Sequence, residues 1–449
     1  MSSEDQEKTR KIEELLKLLK VHDGDMSKFT AQQRKDMKEY KFWKTQPVTK
    51  FDEVIKQEGP IDSSKRVEDI PDAPLKLLPE FEWCTVDVND NKQLEDVYVL
   101  LNENYVEDKD STFRFNYSQD FLNWALKPPG WKSEWQVGVR VKETKRLIGF
   151  ISAIPTNLQV REKEVRSVEI NFLCVHKKLR SKRLAPILIK EVTRRVNKHD
   201  IWQALHTGGV VLPSPVSVCR YAHRPLNWSK LYDVEFTALP ANATKTQMIA
   251  KYTLPKTPLT NIKVMEEKHV EQAFALFNKY QERFELRPDF SLEEFKHWVL
   301  TREDVVYSYV IENEEGKVTD FVSFYSLPFT IINNPLYKDL GIGYMFYYAS
   351  DADFGLDRFS KEGTEKLRKR LNALINDACI LARNLKMDVF NALSSQDNAL
   401  FLDDLKFGPG DGFLNFYLFN YRCFPITGGI REDQTFDMEK RSNVGVVML

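Results

Sequence analysis

Two stretches of the sequence carry residue types at a spacing that serves chemistry. In His176–Arg183, five of eight residues are Lys or Arg. They lie directly before a predicted helix, Leu184 to about Asn197, with Pro186 in its first turn. Unpaired amides and the dipole at a helix N-terminus favour an anion, and fixed positive side chains add to that preference. The chemistry such a turn serves is recognition of a phosphate or diphosphate; a solvated basic loop is the alternative reading. No Gly-Lys-Ser/Thr loop and no Gly-x-Gly-x-x-Gly turn occurs, so this is neither of the common nucleotide motifs. The second stretch is Lys406–Gly412, where Gly408, Gly410 and Gly412 let a backbone come close to a ligand, or simply form a glycine-rich turn. The aromatic run Phe413–Tyr421 that follows reads as part core, part groove wall.

Ordered elements must hold these residues. Phe81–Val88 reads as a strand, and Gln93–Tyr105 as a helix with Leu94, Val97, Val99, Leu100 and Leu101 on its apolar side. Trp135–Val141, a charged turn at 142–145 and Leu147–Pro155 read as a hairpin. Val168–His176 reads as a buried strand, so the basic turn sits at a strand's carboxyl end, where open α/β sheets bind ligands. Asp200–Leu205 reads as the strand after the helix. The second half repeats this order: hairpin Val306–Ile311 and Val318–Pro328, strand Ile342–Ala349, helix about Thr364–Asn384, strand Asp388–Leu393. Asp388-Val-Phe-Asn-Ala-Leu393 echoes Asp200-Ile-Trp-Gln-Ala-Leu205 in residue type. The order implies two α/β halves related by a pseudo-two-fold axis, meeting near 226–262 among Pro240, Pro255 and Pro258.

Composition bounds the function. Of 449 residues, 65 are Lys or Arg and 66 Asp or Glu, a net charge of −1 that argues against bulk nucleic acid as the main partner. Hydrophobic residues make up 42%, enough for a packed core. No apolar run approaches the roughly 18 residues of a membrane span. The five cysteines are scattered without a CxxC pair, which predicts reduced thiols and a cytoplasmic chain. The histidines show no metal-like pairing, so no metal is expected. The acidic start is no secretory signal, and residues 1–33 read as a flexible tail. No heptad pattern occurs, and a monomer is expected.

Arg180-Ser-Lys-Arg-Leu-Ala185 resembles the pyrophosphate-binding turn of the GNAT (N-acetyltransferase) superfamily, with Arg183 where that pattern has Gly. A closer resemblance covers nearly the whole chain, from about Lys41 to the last residue. Glu169-Ile-Asn-Phe-Leu-Cys-Val-His-Lys177 and Lys406-Phe-Gly-Pro-Gly-Asp-Gly412 resemble the two signature motifs of the N-myristoyltransferase (glycylpeptide N-tetradecanoyltransferase) family, and the ending Asn443–Leu449 is similar to that of its fungal members. The resemblance implies an α/β (α+β) fold: a tandem, pseudo-symmetric pair of GNAT-like halves with mixed sheets flanked by helices. The expected division is 34–225, binding acyl-CoA, and 226–449, binding peptide and supplying the C-terminal carboxylate.

The implied reaction moves a tetradecanoyl group from myristoyl-CoA, a co-substrate, to the α-amine of an N-terminal glycine, with no prosthetic group. The resemblance assigns the backbone N–H groups of Phe172 and Leu173 to an oxyanion hole, which on a strand requires a bulge. It assigns the base to the terminal carboxylate of Leu449, with Asn171 and Thr207 orienting the amine. An α-carboxyl titrates near 3.5 and an α-amine near 7.8, a gap of about 6 kcal/mol that burial of the acid narrows. Acyl-CoA is assigned to Tyr40, Lys41, Phe42 and Trp43, to Phe172, Leu173, Cys174 and Val175, and to Arg180, Ser181, Lys182, Arg183, Leu184 and Ala185. The peptide is assigned to Tyr105, Val106, Glu107, Asp108, Phe113, Phe115, Tyr117, Tyr221 and His223, and to Ser326, Tyr344, Asn391, Asp411, Gly412 and Leu414. Two other readings remain open at this point: a short-chain acetyltransferase of the GNAT type, and a non-catalytic acyl-CoA or acyl-peptide binding module.

Overall fold

A computed structural model describes residues 37, 39–105, 112–332 and 334–449. The expected tail at 1–33 and the assigned residues Val106, Glu107 and Asp108 lie outside the described residues. The first half contributes strand β1 (Phe81–Thr85), helix α1 (Asn91–Asn104), strands β2 (Gln136–Val141), β3 (Leu147–Val160) and β4 (Lys163–Val175), helix α2 (Leu184–Asn197), and strands β5 (Gln203–Gly208) and β6 (Ser217–Pro225). The second half contributes β7 (Val306–Glu312), β8 (Val318–Ser326), β9 (Ile342–Ser350), helix α3 (Lys361–Asn384), β10 (Val389–Leu393) and β11 (Gly408–Phe419).

Local chemistry explains the helices. Asp90 caps α1 by accepting from Lys92 N, and Leu94, Val97, Leu100 and Leu101 form the buried stripe. Val99, expected on that stripe, is exposed because it lies off the three-four spacing. Helix α2 begins at the predicted residue and buries Leu184, Leu188, Val192 and Val196, four residues apart. Strand β1 stops at Thr85, three residues short of expectation. Strand β4 starts at Lys163, because a long hairpin with β3 extends it. The strand read at Asp200–Leu205 lies at Gln203–Gly208 instead.

The repeat is visible as two strand–helix–strand units with parallel pairing, Ser167–Glu169 against Gln203–Leu205 and Ile342–Tyr344 against Val389–Asn391. The large sheet runs β1-β2-β3-β4-β5-β11-β6-β10-β9-β8-β7, with the two-residue strand Lys263–Val264 beyond β7. The order is symmetric about the β11–β6 pair. Strand β6 comes early in the chain yet lies against β10, and β11 comes late yet lies against β5. Each half therefore holds a strand of the other, and one apolar core runs through both, from Phe150 and Phe172 to Phe324 and Tyr344.

The chain's last segment is tied into this core. Asp397, fully buried, accepts from Arg441 Nη1 at 3.1 Å, Arg358 Nη2 at 3.0 Å, Arg283 Nη1 at 3.2 Å and the Tyr280 hydroxyl at 2.7 Å. Arg358 also donates to Ser442 O at 2.8 Å and Asn443 Oδ1 at 2.9 Å. Burial works against the Asp397 charge, yet Arg358, Arg283 and Arg441 hold its carboxyl well below the usual range. This stabilisation is complete above the unfolded carboxyl value near 3.9 and is lost as pH falls below it. Asp397→Asn leaves buried guanidinium groups without their anion, at a cost of about 3–5 kcal/mol. Thermal denaturation at neutral pH is expected to show a lowered Tm, and hydrogen exchange a loss of protection across 441–449. An unchanged Tm with unchanged protection contradicts this anchoring role.

Candidate active site

Pairing between β4 and β5 stops at Glu169–Leu205, although both strands continue. Beyond that point β5 follows β11, and β4 keeps only β3. The two strands thus open as a wedge. Inside the wedge β4 carries a bulge. Phe150 faces Cys174 and Ser152 faces Asn171, so Phe172 and Leu173 together oppose the single residue Ile151. Phe172 has φ of 54°, which a bulky side chain rarely adopts and which costs about 1–3 kcal/mol. Packing offsets that cost: its ring sits in the core, 5.4 Å from Tyr117 and 6.3 Å from Tyr105. The Phe172 N–H donates to Asn171 Oδ1 at 2.9 Å, off the ladder.

The end of the chain reaches this bulge. Asn171 Nδ2 donates to Leu449 O at 3.0 Å. Val444, Val446, Val447 and Met448 are buried and Leu449 is half-buried. Gly445 N donates to Leu286 O at 2.7 Å and Val447 N to the Tyr347 hydroxyl at 3.0 Å. Only glycine passes at 445, since a Cβ there would lie 2.4 Å from Gln281 Oε1 and 2.6 Å from Phe284.

The wedge opens into a cavity of about 190 Å³. Its walls are apolar: Ile151, Val168 and Ile170 from the sheet, Ile189, Val192 and Val196 from α2, and Phe419 from β11. Asn171, Phe172, Leu173 and Thr207 stand along the same cavity. Trp43 closes one side and stacks on His206, 5.8 Å between rings at 9°, which stacks in turn on Tyr417 at 4.9 Å. Tyr40 is tied back by its hydroxyl to Val211 O at 3.1 Å; Lys41 is exposed and Phe42 half-buried.

The basic turn forms a short 3-10 helix, Lys177–Lys182, before α2. Arg183 joins them in the left-handed region, φ 59° and ψ 29°. That conformation explains why a glycine suits this position and what Arg183 must accommodate. Lys182 and Arg183 are exposed beside the start of α2, next to Ala185. Arg180 instead turns toward the end of α1, where it donates to Asn104 O. Leu184 is buried and Val175 nearly so. Cys174 Sγ faces Leu100 O at 3.7 Å, and burial pushes its thiol up to about 12, leaving it inert at neutral pH.

The peptide-assigned residues gather on neighbouring strands. His223, Asn391, Tyr344 and Tyr325 form one row across β6, β10, β9 and β8, and Ser326 follows Tyr325. His223 Nδ1 and Asn391 Oδ1 lie 2.6 Å apart; burial lowers the imidazole, and Asn391 and the charge of Asp411 pull the other way. Gly410 makes room for that ring: a Cβ there would meet His223 Nε2 at 2.5 Å. Gly412 lies against the Tyr221 ring, and Leu414 packs in the same apolar group as Tyr221. Phe115 packs edge-on to Phe329 at 4.7 Å and borders Tyr117, which borders Tyr105. Phe113 and Tyr117 are core residues, packed inside rather than open at the surface.

The wedge, the apolar cavity and, at the bulge beside it, the chain's own carboxyl end occur together, and comparison with known proteins gives the site a family. Residues 60–219 match the N-terminal domain, and residues 233–447 the C-terminal domain, of "Myristoyl-CoA:protein N-myristoyltransferase". The chain belongs to the N-myristoyltransferase family. It is 89% identical to the glycylpeptide N-tetradecanoyltransferase of Kluyveromyces lactis, over the whole of both chains, and 63% identical to that of Saccharomyces cerevisiae, again over both whole chains. A crystal structure of the Saccharomyces cerevisiae N-myristoyltransferase with bound myristoyl-CoA superimposes with a TM-score of 0.90, at 63% identity, covering 92% of this chain and 100% of that one. Two GNAT-like halves with mixed sheets flanked by helices are therefore the fold of this family member. No helix among the described residues is long and apolar enough to cross a membrane.

Sequence reasoning missed His206 and the α2 face of Ile189, Val192 and Val196 as cavity walls. The signal was available: Ile189, Val192 and Val196 continue the spacing of the buried α2 stripe. His206 Nε2 is sealed from solvent without a hydrogen-bond partner, and burial lowers the imidazole to about 4. A histidine kept neutral this way contributes full stability above its ordinary value near 6.5 and loses it as pH falls toward 4. His206→Phe preserves the stack between Trp43 and Tyr417. Denaturant titrations at pH 7.5 and 4.5 are expected to show a smaller loss in the variant, by more than about 1 kcal/mol; equal losses contradict burial of a neutral ring.

Proposed function

We propose that this family member transfers the tetradecanoyl group by direct attack of a glycine amine on the thioester, with Leu449 as base and the bulge of β4 as oxyanion hole. The reaction is that of a glycylpeptide N-tetradecanoyltransferase: myristoyl-CoA and an N-terminal glycine give an N-myristoyl amide and CoA. In this reading the acyl chain occupies the apolar cavity between β4, β5 and α2. The cavity is far larger than an acetyl group requires, which favours long-chain transfer over the short-chain alternative. Trp43 and its stack cover the thioester side. Lys182, Arg183 and the first amides of α2 receive phosphate.

The thioester carbonyl then lies beside the N–H groups of Phe172 and Leu173. Its oxygen gains charge as the amine attacks, and main-chain donors that are already oriented stabilise that charge without rearrangement. The thioester oxygen competes with Asn171 Oδ1 for the Phe172 N–H. The amine arrives as ammonium with three protons on nitrogen and ends as an amide with one. The Leu449 carboxylate accepts the first proton, and the freed lone pair forms the C–N bond. The C–S bond breaks as the intermediate collapses, one proton ends on the CoA sulfur, and the other passes to solvent. Asn171 orients both the base and the amine, and Thr207 faces the same space. Tyr221, His223, Ser326, Tyr344, Asn391 and the Asp411–Leu414 stretch line the path of the peptide. In this division the acyl-CoA site belongs to 34–225, and the peptide site and the base to 226–449.

The observation that carries the reading is the 3.0 Å contact between Asn171 and the last carboxyl group, at a strand bulge that lines the cavity. A non-catalytic binding module has no need of it. The test is a protein whose C-terminus is converted to the carboxamide by semisynthesis. Single-turnover transfer to a Gly-starting peptide is expected to fall by about 100-fold or more, the range of a lost general base. Myristoyl-CoA affinity is expected to stay within twofold. Unchanged turnover removes Leu449 from the mechanism.

A further inference from the structure

We propose that His206 Nε2 is the hydrogen-bond partner of the first amide of the pantetheine arm, the one two carbons beyond the thioester sulfur, and that this contact holds the thioester at the bulge of β4. The inference rests on the reading that places the acyl chain in the apolar cavity with its thioester under Trp43.

His206 lies on β5, paired with Tyr417 of β11. Its imidazole is held between two rings, Trp43 at 5.8 Å and 9° and Tyr417 at 4.9 Å and 16°. Both rings are pinned in turn. The Tyr417 hydroxyl donates to Val210 O at 3.0 Å and accepts from Leu212 N at 2.9 Å. Trp43 O accepts from Lys50 Nζ at 3.1 Å and from Gln46 N at 3.0 Å. An imidazole clamped on both faces keeps its plane, so its nitrogens point in fixed directions.

Four other polar side chains of the cavity donate to main-chain oxygens: Thr193 to Ile189, Asn197 to Ile201, Gln203 to Asn420 and Asn171 to Leu449. Among the described residues, His206 Nε2 is the one side-chain nitrogen or oxygen of the cavity wall that is sealed from solvent without a partner. Leaving such an atom unpaired is costly, and a ligand that pairs it recovers the cost. A water serves only where it finds further polar partners of its own, and these walls are largely apolar.

The chemistry of the co-substrate selects the group. A tetradecanoyl chain is hydrocarbon throughout and forms no hydrogen bond. In this reading the thioester oxygen is taken by the Phe172 and Leu173 N–H groups, and a thioester sulfur is a poor acceptor. The next polar group along the molecule is the amide two carbons past sulfur, which offers both a carbonyl and an N–H. A neutral imidazole donates from one nitrogen and accepts at the other, so Nε2 finds its partner in that amide in either tautomer. A hydrogen bond so close to the sulfur restrains the thioester while the amine attacks.

The test is a cycle of two proteins and two ligands, read by isothermal titration calorimetry without peptide, so the identity of the base does not enter. The ligands are myristoyl-CoA and an analogue with that amide replaced by two methylenes. The proteins are the parent and His206→Phe, which keeps a ring between Trp43 and Tyr417. The ratio of myristoyl-CoA affinity to analogue affinity is expected to be about tenfold larger in the parent, the worth of one buried hydrogen bond. Equal ratios overturn the proposal. Should His206→Phe fail to fold, 15N NMR of the parent with labelled histidine decides instead. The His206 Nε2 resonance is expected to move with myristoyl-CoA and to stay with the analogue, and the same response to both overturns the proposal. An Ile189→Trp variant, which narrows the cavity, separates this inference from the reading beneath it. Weakened binding of both ligands to that variant, beside equal ratios for His206→Phe, removes His206 alone, whereas undiminished binding removes the acyl chain from the cavity.

Discussion

A terminal carboxylate is ordinarily the most mobile charge on a protein, and here it must stay within hydrogen-bonding reach of a strand in the middle of the fold. Chain ends fray unless they are tied down. This one is held at successive points: by Arg358 at Ser442 and Asn443, by Leu286 at Gly445, by the Tyr347 hydroxyl at Val447 and by Asn171 at Leu449. The Asp397 cluster fixes where the segment begins, and Gly445 lets it pass Gln281 and Phe284. A buried ion cluster of this kind is a poor source of net stability, but it specifies one geometry. The site consequently depends on residues that touch neither substrate.

The strand exchange between the halves follows the same logic. The bulge and most of the cavity belong to β4, β5 and α2 in the first half, while the carboxyl group beside the bulge comes from the last residue of the second. Two independently packed halves could rotate past one another and separate that carboxyl group from the bulge. With β11 paired to β5 and β6 paired to β10, relative movement would break main-chain hydrogen bonds within one sheet. The wedge is a by-product of that arrangement: β5 is drawn toward β11 beyond Leu205, and β4 is left with free space on one side. The left-handed Phe172 is tolerated because Tyr105 and Tyr117 hold its ring.

Much of this was legible in the sequence. The paired strand–helix–strand units emerged from the order of elements, and the start of α2 from Pro186 and the apolar spacing. The run Val444–Leu449 is apolar apart from Gly445, a composition that suits a buried terminus. Periodicity could not reveal the bulge, because Phe172 and Leu173 read as ordinary strand core, and Phe172 does pack as core. Only its main chain departs from the ladder. Nor could it reveal the exchange of β6 and β11, which depends on pairings between segments nearly two hundred residues apart. The inward turn of Arg180 and Cys174 was invisible for a similar reason: charge and thiol chemistry are read from residue type, whereas direction is set by α1 packing alongside.

The most direct measurement is a crystal structure of the protein with a non-hydrolysable myristoyl-CoA analogue and a Gly-starting peptide. The account predicts the carbonyl oxygen of the analogue within about 3 Å of the Phe172 and Leu173 nitrogens, the geometry an oxyanion hole requires. It also predicts a Leu449 carboxylate oxygen within hydrogen-bonding distance of the peptide's α-nitrogen, directly or through one water. A carbonyl bound away from the bulge, or a Leu449 carboxylate turned away from the amine, would contradict it.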